Sequence, residues 1–72
     1  MVYTCTTVIT KENKWFVARC VELGVVSQGK TIEQAQKNLQ EAVELYLEDS
    51  PRSRRFLARR PAFITTLEIK HG

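Results

Sequence analysis

The 72-residue chain predicts an α+β fold, a single layer of antiparallel sheet with one amphipathic helix packed on one face, in the order β-β-β-α-β. Three observations carry that expectation. Two runs rich in β-branched and aromatic residues, VYTCTTVIT (2–10) and WFVARCVE (15–22), flank the polar KENK. Residues 31–48 then carry apolar side chains at spacings of three and four, and AFITTLEIK after Pro61 reads as a final strand.

The first two strands form a hairpin. Asn13 tolerates a left-handed backbone, so a turn at Glu12-Asn13 would pair Lys11 with Lys14, Thr10 with Trp15 and Cys5 with Cys20. Alternation then puts Tyr3, Cys5, Thr7, Ile9, Phe16, Ala18 and Cys20 on one face. Val2, Thr4, Thr6, Val8, Thr10, Trp15, Val17, Arg19 and Val21 take the other. After Gly24, VVSQ is a short third strand, and Gly29-Lys30 turns the chain. Thr31 fits as an N-cap with Gln34 as its reciprocal partner, and Glu33 complements the helix dipole. Ile32, Ala35, Leu39, Ala42, Val43 and Tyr46 make the apolar stripe; Gln36, Lys37, Gln40, Glu41, Glu44 and Glu48 face outward. Ser50-Pro51 ends this helix or starts a short second turn.

A chain of this length makes one domain and buries only about 60% of its unfolded surface, which leaves room for one helix layer on one sheet. With 43% hydrophobic and 26% charged residues it reads as a folded domain rather than a disordered one. It contains no run of eighteen apolar residues, and its first residues lack the basic lead, apolar centre and small-residue cleavage site of a leader, so the expected location is cytoplasmic, with no membrane partner. The net charge of +3 is uneven: five of the eleven cations, Arg52, Arg54, Arg55, Arg59 and Arg60, lie in residues 50–61. That segment suits contacts to phosphates or to an acidic partner, and equally a solvated connector pinned by Phe56 and Leu57.

GVVSQGKT (24–31) matches the phosphate-loop pattern letter for letter. Its interior Val25-Val26 prefers extended backbone, however, and the only Asp, Asp49, falls at the end of a helix, so no strand ends in a carboxylate for Mg²⁺. The same letters are explained by a strand end, a Gly turn and a helix cap, and no cofactor is expected. Cys5 and Cys20 face each other in the hairpin, near enough to bridge, although buried reduced thiols are the commoner state in a cytosolic domain. With terminal His71 they do not make a metal site of known spacing. Glu22 and Glu68 lack the further carboxylates of a two-metal centre, and no nucleophile has a base near it, so no catalytic residue is assigned and the expectation is a protein that is not an enzyme. Because one helix covers one face, Val8, Trp15, Val17, Arg19 and Val21 are left as a candidate partner or oligomer surface, unless the basic segment folds across it.

The run from Trp15 to Asp49 resembles the HicB-like antitoxin family. The aromatic-led strand is Trp15 to Ala18, the small-residue segment Gly24 to Ser27, the helix-start motif Gln28 to Thr31 with Gln34-Ala35, and the helix signature Asn38-Leu39-Gln40-Glu41-Ala42. With the flanking strands the resemblance covers nearly all of residues 1–72 as a single domain. It implies a partial ribonuclease-H-like fold without catalytic carboxylates, in a stand-alone short member lacking the DNA-binding domain that many relatives carry. It also implies a function: such proteins bind and mask a small, basic, mRNA-cleaving toxin protein. A homo-dimer or higher homo-oligomer is expected, with nucleic acid as an alternative partner for the Arg52–Arg60 segment.

Overall fold

The protein is described by a computed structural model that covers residues 3–57 and 63–72. Three antiparallel strands, β1 (Thr7–Glu12), β2 (Trp15–Cys20) and β3 (Val26–Gly29), form a sheet in the order β1-β2-β3. Helix α1 (Ile32–Asp49) follows, then a 3₁₀ helix at Pro51–Phe56.

The hairpin register differs from expectation by two residues. Asn13, at φ 56°, takes the first central position of the turn rather than the second, so Glu12 pairs with Trp15, Thr10 with Val17 and Thr7 with Cys20. Side chains alternate with period two, and a slip of two therefore leaves each residue on its expected face. Ala18 and Cys20 are buried beneath the helix, with Ile9 and Phe16 packed alongside, as the alternation requires.

β3 begins one residue later than VVSQ and runs on into Gly29. Between β2 and β3 the chain turns through Gly24 at φ +72°, where the Gly24 amide donates to the Cys20 carbonyl and the Cys20 amide to that of Val25, both at 2.8 Å. A residue with a Cβ would be strained there. Gly29 has a different reason for its lack of a side chain. An added Cβ would lie 2.6 Å from the Ala35 nitrogen and 2.9 Å from the Gln34 carbonyl carbon, both helix backbone. The strand end and the first helical turn are in direct backbone contact.

Thr31 caps the helix, its hydroxyl accepting from the Gln34 amide at 3.0 Å. The return bond is displaced by one residue from an ideal capping box: Gln34 Oε1 accepts from the Lys30 amide at 2.6 Å instead of from Thr31. Asn38 Nδ2 donates to the Gln28 carbonyl at 2.9 Å and ties the second turn to β3. The buried stripe is Ala35, Leu39 and Val43, with Leu47 completing it, a row of fourth residues narrower than expected. Ile32 and Tyr46 fall off that row and remain exposed. A row of fourth residues runs obliquely to the helix axis, so it meets the sheet along one line.

One alternative is narrowed and one expectation is corrected. Of the basic segment 50–61, offered as an alternative cover for the open sheet face, residues 51–57 lie on the helix side, where the 3₁₀ segment packs against α1 and Leu57 enters the core; residues 58–61 lie outside the described residues. The final strand is not formed: residues 63–72 have no regular secondary structure and are exposed, while Pro61 and Ala62 lie outside the described residues. An extended segment without a neighbour cannot enter a ladder, however favourable its β-branched composition.

Gly29→Ala is expected to destabilise the fold by about 1–3 kcal/mol through backbone overlap, and Thr31→Ala by about 1 kcal/mol through the lost cap. Urea denaturation followed by circular dichroism measures both; a Gly29→Ala midpoint equal to wild type would contradict the close approach.

Candidate functional site: an open sheet face and a bridged corner

On the face away from α1, pairing across the three strands makes rows. Val8, Arg19 and Val26 form one, Thr10, Val17 and Gln28 the next, and Glu12 with Trp15 the last, at the hairpin end. The expected residues Val8, Trp15, Val17, Arg19 and Val21 thus share one surface. Val21 lies just past β2, where its amide donates to the Thr6 carbonyl at 2.9 Å. Trp15 is 42% exposed, Val21 48% and Val26 52%. A shallow concavity of about 290 Å³ is lined by Val8, Thr10, Glu12, Val17, Arg19 and Val26. Val26 was missed from the sequence because its face depends on the β2–β3 register, which no local signal in VVSQ specifies.

The surface is mixed: Val8, Val17, Val26 and Trp15 share it with Thr10, Gln28, Glu12 and a central Arg19. Cross-strand neighbours place valines on both sides of Arg19, so a partner seated here would bury hydrocarbon around a guanidinium that needs an acceptor.

The basic segment is only partly described. Arg52, Arg54 and Arg55 are exposed on the 3₁₀ helix, whereas Arg59 and Arg60 lie outside the described residues. Arg54 Nε donates to the Pro51 carbonyl at 3.1 Å, and the Arg55 guanidinium stacks 4.9 Å from the Phe56 ring centroid. Leu57 alone pins the segment, since Phe56 is exposed.

The phosphate-loop letters occupy a strand end and a helix cap. Gly29 is buried against the helix, and the Lys30 and Gln34 amides, which a phosphate would require, already donate to side chains.

At the far end of the hairpin Cys5 and Cys20 are joined as a disulfide, with their Cα atoms 5.9 Å apart. The expected reduced pair is therefore corrected: Cys5 reaches Cys20 diagonally across the ladder, since Cys20 sits directly opposite Thr7. Glu22 adjoins the bridge, one carboxylate oxygen 3.6 Å from Cys20 Sγ and accepting from the Thr6 amide at 2.8 Å. A bridged sulfur has no proton to donate, so only the reduced thiol can hydrogen-bond to that oxygen. Cys5, Cys20 and Glu22 bring their ligand atoms within 4.8 Å of one another, but sulfurs tied to each other are not thiolate ligands. Burial pushes the Glu22 carboxyl upward; hydrogen bonds from the Thr6 side chain and from the Glu22 and Thr6 backbone outweigh that and hold it below its ordinary value. Glu68, in the exposed C-terminal segment, does not join it in any such cluster among the described residues. No helix among the described residues is long and apolar enough to cross a membrane.

Residues 5–55, covering the hairpin, β3, α1 and most of the 3₁₀ helix, match a family of unknown function, DUF7387, and the chain belongs to that family. It is also 41% identical over 59 residues to a UPF0150 protein of Helicobacter pylori (strain J99), covering 81% of this chain and 82% of the relative. No solved structure gives a significant match.

Glu22 has a depressed folded pKa, so its contribution to stability is present above the unfolded value and is lost as pH falls through the folded one. Thermal melts from about pH 6 down to about pH 3 should show a loss that is smaller in Glu22→Gln. Reducing the Cys5–Cys20 bridge, which spans a sequence separation of 15, should lower stability by about 3 kcal/mol. Equal melting temperatures with and without reductant would contradict the bridge.

Proposed function

We propose that this chain is a non-catalytic, HicB-like antitoxin that binds and masks a small, basic, mRNA-cleaving toxin, and that the open sheet face is its contact surface. The observation that supports this reading most is the uncovered apolar face itself, with Trp15, Val21 and Val26 exposed around Arg19. Contiguous apolar surface of this kind on a small domain marks a macromolecular contact, and a partly exposed Trp is the residue type that most often anchors one. The helix-start motif from Gln28 to Ala35 and the Asn38–Ala42 signature support the family assignment behind the reading.

In this reading the chain acts by steric exclusion. The flat sheet seats on the toxin and removes it from RNA, with Trp15 as the apolar anchor and Arg19 pairing with an acceptor at the centre. No proton transfer or bond cleavage is asked of this chain.

The test is co-expression with the product of the neighbouring reading frame, expected to be a basic protein of roughly double-stranded-RNA-binding character. The pair should co-purify and the complex should not cleave mRNA. Trp15→Ala or Val26→Asp should weaken binding by tenfold or more in calorimetry, and Trp15 emission should shift to the blue on complex formation. Unchanged affinity in both variants would remove this face from the interaction, and the absence of any such neighbour would leave an orphan module.

A further inference from the structure

Two cysteines and one carboxylate converge at the corner where the N-terminal run meets the end of β2, and the antitoxin reading uses none of them. Ligand atoms of Cys5, Cys20 and Glu22 lie within 4.8 Å of one another. While the bridge is closed, neither sulfur is a thiolate. Opened by a dithiol reductant, the bridge takes up two electrons and two protons and the reductant leaves as its own disulfide. Two thiols then stand beside the Glu22 carboxylate.

The distances suit one small divalent cation. A tetrahedral zinc ion holds sulfur at about 2.3 Å and carboxylate oxygen at about 2.0–2.2 Å, which sets sulfur and oxygen about 3.6 Å apart and the two sulfurs about 3.8 Å apart. Cys20 Sγ and Glu22 Oε1 are already separated by 3.6 Å. With Cα atoms 5.9 Å apart, the freed cysteines reach the required spacing by side-chain rotation. The backbone around them is tied independently of the bridge: the Val21 amide donates to the Thr6 carbonyl at 2.9 Å, and the Thr6 amide to Glu22 Oε1 at 2.8 Å. The second of these bonds orients the carboxylate, as hydrogen bonds behind a metal's ligands do. Cys20 is fully buried, but Cys5 lines a groove of about 390 Å³ between sheet and helix, which gives a cation a way in.

We propose that the reduced protein binds one zinc-class divalent cation through Cys5 Sγ, Cys20 Sγ and a Glu22 carboxylate oxygen, with a water from the groove as fourth ligand. Binding displaces both thiol protons to solvent and leaves two thiolates and one carboxylate around the cation. Such a donor set selects zinc over magnesium and calcium, which take oxygen ligands in greater number. Cation and disulfide are alternative cross-links at one corner. Each fastens the N-terminal run to the end of β2, the disulfide under oxidising conditions and the metal under reducing ones. The site uses no residue of the open sheet face, so it stands or falls independently of the antitoxin reading.

The test reduces the full chain with a dithiol, removes the dithiol without air, and titrates with Co²⁺ as a spectroscopic stand-in for Zn²⁺. One equivalent per chain should give a thiolate-to-cobalt charge-transfer band and the intense visible bands of tetrahedral coordination, and Zn²⁺ should displace both. Zn²⁺ should also raise the melting temperature of the reduced chain and not that of the oxidised one. Cys5→Ser should weaken the charge transfer, one thiolate being gone. Glu22→Gln keeps both sulfurs and a carbonyl oxygen for the Thr6 amide, so its circular dichroism should match wild type while its Co²⁺ affinity falls at least tenfold. His71→Ala should bind as wild type does. The absence of a charge-transfer band at one equivalent would overturn the proposal, as would equal affinity in Glu22→Gln or loss of binding in His71→Ala. A stoichiometry of one cation per two chains would mean thiolates shared between copies and overturn it equally.

Discussion

Where β3 runs out at Gly29, backbone meets backbone, with a would-be Cβ only 2.6 Å from the helix nitrogen of Ala35. Small residues concentrate at that junction, Ala18 and Ala35 both fully buried, and they let the helix sit close to the middle of the sheet. The Thr31 cap and the Asn38 bond to Gln28 hold the first two turns in place. The position of α1 follows from these contacts. A helix anchored over β3 and β2 cannot also cover the approach to β1, and so the groove beside Tyr3 and Cys5 exists.

Where helix packing gives out, covalent and polar bonds take over. The N-terminal run is held to the end of β2 by the Cys5–Cys20 bridge, by Glu22 accepting from Thr6, and by the Val21 amide bonded to Thr6. A domain this small has little apolar surface to bury, and a cross-link that restricts the unfolded chain contributes most where packing contributes least. Reduction would free a Cys20 thiol to donate to Glu22, which keeps the corner satisfied in polar terms while loosening it in entropic ones.

The two exposed apolar features differ in kind. The outer sheet face spans three strands and carries a central cation over a shallow concavity, whereas the groove beside the residues that lead into β1 lies between sheet and helix and is lined by Tyr3, Cys5, Leu39, Val43, Leu47 and Leu57.

Much of this was legible in the sequence because it is local. The hairpin, the Thr31 cap with Gln34, the helix and the inner and outer faces all follow from side-chain type and spacing, and the faces survived a register displaced by two because the strand period is two. Other features required three dimensions. Asn13 tolerates either central position of a turn, so the register, and with it the diagonal Cys5–Cys20 bridge, was decided by pairing along the whole ladder. Val26 joined the outer face through its partner Arg19, and Leu57, one apolar residue in an Arg-rich stretch, went to the core because the helix end delivered it there. Residues 63–70 mark the boundary most clearly: their alternation determines that they suit a strand, but a strand exists only where another edge accepts its hydrogen bonds, and that is a property of the assembled structure.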